Sequence, residues 1–419
     1  MRTSAALVVL SFVLAAPPAL AQAASKCAGK PEVRLLHWAW NAQMGALYAN
    51  GGAQSTPDSL VCGTGVNLRF VRQDDVGKMQ ESLIAFASAL KKGEAQPKDG
   101  AHFVVIMGDG GAAFLAGVNG ALGRLGPEYT AKVVGALGYS RGEDKFMGPS
   151  AWKANPAASK GGLVAGVLRD GDWNIAMKWL GDNKLCTNPD EKTYDPGCLN
   201  WLAASDYLDA GEKYIAGYCE DRPVVSQGKK TAQTKKVCVD GVVTWTPGDV
   251  NVATRKGGLV SIVSTKENAS QMPAILIGID KWMKDNRATV EGLIEGFAEG
   301  ASRVKASDQA AQKAAEISAV VYKEADAVYW AKYFKGVTEK DKQGLQVELG
   351  GSSVSDLRDM VATFGLTPGT KNMFGITYVI FGDIVKAQYP DLVPSYPPVA
   401  EILDTSYLQA VARRAKLVQ

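Results

Sequence analysis

From Glu32 onward the chain alternates short apolar runs with amphipathic stretches, and this alternation restricts the fold more than any other feature of the sequence. Residues 33–37 read as a strand, and 43–49 as a helix ended by Asn50, Gly51 and Gly52. A strand over 66–71 precedes Asp74 and Asp75, which open a helix whose apolar positions Met79, Leu83, Ile84, Phe86 and Ala87 follow the 3.6-residue period. Strand 102–107 leads into helix 112–119, and strand 132–137 follows. This order predicts an α/β sandwich with largely parallel strands. A second unit starts near Gly161: strand 162–168, a turn at Asp170, Gly171 and Asp172, helix 174–180 and a polar insertion over 182–200. Helix 204–218, strands 239–245 and 256–264, and a long helical pattern over 272–305 come next. Helix formers continue to Phe334, and Gly350, Gly351, Ser352 and Ser353 mark a loop. Pro390, Pro394, Pro397 and Pro398 predict a final stretch that wraps the surface without regular elements. A chain of 419 residues exceeds the size at which one core keeps growing, so two lobes are expected.

The first 23 residues, MRTSAALVVLSFVLAAPPALAQA, have the layout of a secretory signal peptide. Arg2 supplies the positive start, residues 5–16 an apolar core too short to span a bilayer, and Ala19, Ala21 and Ala23 a cleavable end. All six cysteines, Cys27, Cys62, Cys186, Cys198, Cys219 and Cys238, lie beyond it. An oxidising compartment favours pairing, and six cysteines allow 15 connectivities. Pairing of neighbours, 27 with 62, 186 with 198 and 219 with 238, is the expectation, with buried free thiols as the alternative. The formal charge of +3 falls by one when Arg2 is removed, and no long basic run provides a footprint for nucleic acid. With only His37 and His102 and no Cys-x-x-Cys, a zinc site has few ligands to draw on, and no metal or cofactor is expected.

The run VVIMGDGGAAF, residues 104–114, fits G-x-G-x-x-[G/A] through Gly108, Gly110 and Ala113. A dinucleotide fingerprint should open the first βαβ unit and be followed by an acidic residue ending the next strand. This one follows what reads as the third strand, and Glu128 precedes strand 132–137 instead of ending it. The better reading is a strand end turning into a helix N-terminus, where small residues let a ligand approach backbone N–H groups.

Four segments in order carry a resemblance to the nitrate/sulfonate/taurine-type periplasmic solute-binding proteins of ABC transporters. Leu35-Leu36-His37-Trp38-Ala39-Trp40 resembles the first strand and its ligand loop, and the run from Gln73 to Leu83 the second strand-to-helix step. Tyr139-Ser140-Arg141-Gly142-Glu143-Asp144 resembles the segment before the crossover. Residues 239–247, 256–264 and 273–287 resemble the closing section; the match spans roughly 32–305. The resemblance implies a bilobal type II periplasmic-binding-protein fold: two α/β lobes joined by a double-crossover hinge, with a mostly helical C-terminal extension. The expected divisions are 24–147 for the first part of lobe I, 148–255 for lobe II, 256–305 for the return to lobe I and 306–419 for the extension. The crossings are expected near 147–162 and 252–258. It implies a periplasmic monomer that closes over a small solute and hands it to an inner-membrane permease.

Ligands in such folds lie at strand carboxyl ends. Trp38, Trp40 and Asn41 end the first strand, where an aromatic pair either sandwiches a ligand or fills the core. Asp75 caps its helix or reaches the ligand. Gly108, Asp109 and Gly110 make a turn or contact the guest. Ser140 and Arg141 would suit a carboxylate or oxyanion, unless Arg141 pairs with Glu143 or Asp144. Trp245 and Asp249 flank a Thr-Pro-Gly turn and complete the expected cleft. This mixture favours an organic anion or zwitterion. An envelope sensor or interaction module on the same fold is the alternative, and an exported carboxylate-dependent hydrolase a further one, because paired carboxylates leave no short signature. No G-x-S-x-G is present, and the chain reads as a binder and not an enzyme.

Overall fold

The computed structural model describes residues 25–226 and 228–418, so the expected signal peptide lies outside the described residues. Two separate sheets organise the molecule. The first runs, in spatial order, Ser352–Val354, Ala131–Ser140, Pro273–Ile279, Phe103–Met107, Glu32–His37 and Asn67–Arg72. The last three are mutually parallel, and Pro273–Ile279 inserts antiparallel between Phe103–Met107 and Ala131–Ser140. The second sheet runs Val260–Ser264, Lys145–Gly148, Lys229–Thr244, Leu163–Gly166 and Asn200–Ala203. Cys219–Ser226 pairs with the outer half of Lys229–Thr244 as an exposed hairpin.

Composition explains the layering. Phe103–Met107 is FVVIM and Pro273–Ile279 is PAILIGI, every residue buried, as befits strands covered on both faces. Helices Val76–Lys91, Gly111–Leu122 and Arg287–Ala306 cover the first sheet with faces that include Met79, Leu83, Phe86, Leu115 and Phe297. All three cysteine pairs join sequence neighbours, Cys27–Cys62, Cys186–Cys198 and Cys219–Cys238, with Cα separations of 4.8, 4.9 and 4.0 Å. None of the described helices is long and apolar enough to cross a membrane.

Several expectations need correction. The stretch 272–305 is not one helical pattern: it opens with the central strand Pro273–Ile279 before helices Asp280–Asp285 and Arg287–Ala306. A short apolar run has no periodicity that separates a buried strand from a buried helix. The expected strand 256–264 is observed as Val260–Ser264 and belongs to the second sheet, antiparallel to Lys145–Gly148. The chain therefore leaves the first sheet after Ser140 and enters the second at Lys145; it leaves the second after Ser264 and re-enters the first at Pro273. Both connections differ from the expected crossings at 147–162 and 252–258. The final stretch is also more regular than its prolines suggest, with helices Val399–Ile402 and Ser406–Arg414, the last burying Tyr407, Leu408 and Val411.

The C-terminal extension is mostly helical, but it also supplies Ser352–Val354 to the edge of the first sheet, antiparallel to Ala131–Ser140. Gly138 permits this seat. A Cβ there would stand 2.4 Å from the carbonyl oxygen of Ser353 and 2.1 Å from that of Ala42, so a side chain would push away both the new edge strand and the turn after Trp40. The extension also touches the second lobe. Tyr207 donates its hydroxyl to Glu324 at 2.9 Å, and Gly350 N–H donates to Asp249 at 3.1 Å.

Candidate ligand-binding site

The first strand ends at His37, and the chain turns sharply through Trp38, Ala39, Trp40 and Asn41, all fully enclosed. His37 is held neutral, its pKa lowered to about 4 by burial, while its Nδ1 meets the Trp38 carbonyl at 3.0 Å. Trp245, at the end of a second-sheet strand, crosses to this turn. Its Nε1 donates to the Ala39 carbonyl at 3.1 Å, its ring meets Trp38 edge-on at 5.6 Å, and Tyr207 stacks on its other side at 4.0 Å. The lobes thus meet through an aromatic stack clamped by one hydrogen bond.

A carboxyl-rich region surrounds the same junction. Trp40 Nε1 donates to Asp144 Oδ2 at 3.2 Å, and Asn41 N–H to Glu143 Oε1 at 3.5 Å. Asp144 N–H donates to Ser140 Oγ at 3.0 Å, and Ser140 Oγ meets Thr265 Oγ1 at 2.6 Å, tying the outgoing connection to the returning one. Asp172, in the first turn of helix Gly171–Asp182, lies near enough to Asp144 for the two buried carboxyls to influence each other's titration. Burial pushes Asp144 up to about 7, moderated by hydrogen bonds from Ser140, Asp172 and Trp40 and by Lys145. Burial and then the Asp144 charge hold Asp172 well above the carboxylate range. Glu143 is raised for the same two reasons, although Ser352 Oγ donates to it.

The GDG turn lies here too. Asp109 accepts from Gln271 Nε2 at 2.8 Å, its carbonyl accepts from Asn174 Nδ2 at 3.1 Å, and burial raises its carboxyl pKa. Gly110 faces the second lobe so closely that a Cβ would sit 2.9 Å from Asp170 Oδ1. Gly171 answers from the other side, where a Cβ would sit 3.2 Å from Asp109 Oδ1. Asp170 caps its helix by accepting from Gly171 N–H at 2.8 Å, and burial of its carboxyl pushes the pKa up to about 6.

Junction atoms without a protein partner include Trp38 Nε1, both amide atoms of Asn41, and one oxygen each of Asp109, Asp144, Asp170, Asp172 and Asn174. Buried polar groups in native proteins are nearly always bonded, so this concentration of atoms calls for partners, ordered water or a guest.

The structure thus brings Trp38, Trp40, Asn41, Asp109, Gly110 and Trp245 together. Other predicted site residues are placed differently. Gly108 packs against Pro273, where a Cβ would meet Pro273 Cγ at 2.6 Å. Asp75 is exposed and caps helix Val76–Lys91 through Lys78 N–H at 3.1 Å. Ser140 serves the connection, as above. Asp249 is engaged by Lys145 Nζ, both side chains being fully buried. Arg141 points away from the junction: its guanidinium lies 4.2 Å over the Tyr139 ring and lines an open hollow of about 510 Å³ with Lys305 and Asp359. Neither Glu143 nor Asp144 pairs with Arg141: Glu143 accepts from Asn41 N–H and Ser352 Oγ, and Asp144 accepts from Trp40 Nε1. Sequence reasoning did not select Glu143, Asp144, Asp170, Asp172, Asn174 or Gln271. Asp170 and Asp172 carried the same signal as Asp109, an acidic turn between a strand end and a helix start.

No family model matches the chain, and no curated protein matches it. Solved structures do. The periplasmic nitrate-binding protein NrtA from Synechocystis PCC 6803 superposes with a TM-score of 0.54 at 11% identity, covering 91% of this chain and 97% of its own. The chain has the periplasmic-binding-protein fold. The periplasmic aliphatic sulphonate binding protein SsuA from Escherichia coli gives a TM-score of 0.53 at 11% identity, with 89% and 92% covered. A ligand binding component of an ABC-type import system from Staphylococcus aureus gives 0.52 at 10% identity, with 92% and 100% covered. In this fold the cleft opens between two sheets at strand carboxyl ends, which is where Trp38, Asp109 and Trp245 converge.

Proposed function

We propose that this chain is an exported solute-binding protein that closes its two lobes over a small organic solute and presents the closed form to an ABC-transporter permease. The observation that supports it is the set of enclosed, unpartnered polar atoms where the lobes meet across Trp245. Two connections between the sheets, tied by Ser140 and Thr265, supply the axis of this hinge motion. Closure follows ligand only if the guest bonds both lobes, since equal affinity for open and closed forms shifts nothing. The guest envisaged from sequence, an organic anion or zwitterion, narrows to a zwitterion or another ammonium-bearing solute. Arg141, the expected anion receptor, lies elsewhere, and Lys145 is already engaged by Asp249.

The test is native mass spectrometry of the freshly purified protein with small-angle scattering before and after guest removal. A bound small molecule, and a larger radius of gyration once it is removed, is the expected result. A protein that carries no guest and keeps one shape with every solute offered would overturn the reading. A second reading, hydrolysis by paired carboxylates, draws on Asp144 and Asp172. A binder returns its solutes unchanged, and chromatography of incubated solutes separates the two.

A further inference from the structure

The junction has a charge and a hydrogen-bonding sense that solute capture alone does not use. Asp109, Asp144 and Asp172 are buried there, and the Asp170 carboxyl is enclosed although its residue is partly exposed. Their unpartnered atoms, Asp109 Oδ1, Asp144 Oδ1, Asp170 Oδ2 and Asp172 Oδ1, are acceptors, and Asn174 Oδ1 and Gln271 Oε1 add two more. Against these stand few N–H donors without a partner, Trp38 Nε1 and Asn41 Nδ2 among them. Asn41 provides an observation independent of the carboxyls. It is fully buried with both amide atoms unpartnered, and its backbone bonds Glu143, beside Asp144. The helix N-terminus that would attract an anion is occupied by the Asp170 carboxyl. A bare metal ion fits poorly, because among the described residues no three His, Cys, Asp or Glu side chains gather in a metal-holding group.

On the reading of this junction as the ligand chamber, we infer that its guest is an organic cation with several N–H donors, an amine, amidine or guanidine, bonded by Asp144 and Asp172 and by Asp109 and Asp170. Without a guest, the buried Asp144 and Asp172 carboxyls retain a proton; the bound cation takes its place, and that proton leaves. The charged groups facing this pair are Glu143, Lys145, Asp109 and Asp170, and Lys145 is shared with Asp249.

The experiment is thermal melting and isothermal titration of the mature protein, freed of guest, with putrescine, spermidine and methylguanidine, against ethanesulfonate and nitrate. Stabilisation by at least one cation and by neither anion is expected. The affinity should rise with pH between about 5.5 and 7.5, approaching tenfold per unit for release of one proton. Titration in buffers of different ionisation enthalpy should detect that proton. D172N should weaken the cation at least about tenfold and flatten its pH dependence, with the guest-free melting temperature unchanged or higher, since it relieves repulsion. If D172N fails to fold, D144N serves the same test. Binding of ethanesulfonate or nitrate with no response to any of the three cations would overturn the inference, as would full cation affinity in a folded D172N. A co-purified guest that is neutral or anionic would also end it while leaving solute capture intact; the absence of any guest or closure would end both.

Discussion

Asp249 and Asp144 are both fully buried, and they meet their charge in opposite ways. Asp249 is bonded by Lys145 Nζ and by the backbone N–H groups of Gly350 and Val250, the latter two at 3.1 and 2.8 Å. Asp144 accepts from Trp40 with one oxygen, its other oxygen has no protein partner, and a second carboxyl, that of Asp172, lies near it. A protein interior tolerates a carboxylate that a cation and N–H dipoles surround, and resists one facing its like. On the proposed reading, the difference separates a charge satisfied within the protein from one held ready for a guest. Asp249, expected from sequence in the cleft, is satisfied within the protein.

Breaking the satisfied pair should produce the largest effect. Lys145→Met leaves Asp249 buried without its cation and should cost about 3–5 kcal/mol of stability, read by equilibrium denaturation. Replacing both partners, with Lys145→Met and Asp249→Leu together, should recover much of that loss. A single variant as stable as the parent would show that the pair is not the enclosed ion pair described here.

The unsatisfied pair should be visible through pH. Asp144 is raised to about 7 and Asp170 to about 6 from an ordinary value of 3.8, so the folded state holds more protons than the unfolded state between these limits. Their contribution to the stability of the guest-free protein is therefore fully present at the acid end and lost as pH rises through the folded values, by up to about 1.4 kcal/mol per pH unit for each group. Asp209, Glu267 and Asp356, whose pKa values are lowered, act in the opposite sense, so the informative quantity is a difference between proteins. Asp144→Asn keeps an acceptor for Trp40 and gains a donor for Asp172. Relative to the parent it should become steadily more stable from pH 5 to about 7 and level off above, read by thermal melts. Parallel pH profiles would mean that Asp144 does not take up a proton on folding.

The order of strands and helices was legible because amphipathic periodicity and turn residues are local. The central strand Pro273–Ile279 was not, because seven consecutive buried residues carry no face to read. The connections between the lobes were misplaced because Lys145–Gly148 and Val260–Ser264 are adjacent only in space. At the junction, Trp38, Trp40, Asn41, Asp109 and Trp245 were expected together from their places at strand ends, and they meet there. The carboxyl pair was not: Asp144 and Asp172 sit on different elements, and nothing near either one in sequence signals the other. Arg141 was expected beside these residues and instead stacks on Tyr139, a placement that nothing nearby in the sequence signals.

Two helix-capping aspartates give the smallest and most discriminating comparison. Asp75 and Asp170 both precede a helix and both accept a backbone N–H, from Lys78 at 3.1 Å and from Gly171 at 2.8 Å. Asp75 is exposed to water, whereas the free oxygen of Asp170 is enclosed against the first lobe, near Gly110. Capping alone costs about 1 kcal/mol when an aspartate becomes alanine. Asp75→Ala should therefore lose about that much stability by denaturation and leave solute affinity and its pH dependence untouched. Water solvates the Asp75 carboxylate whether the lobes are open or closed, so it contributes no differential affinity for a guest. A change in solute affinity in Asp75→Ala would restore Asp75 to the binding site and shift the cleft toward helix Val76–Lys91.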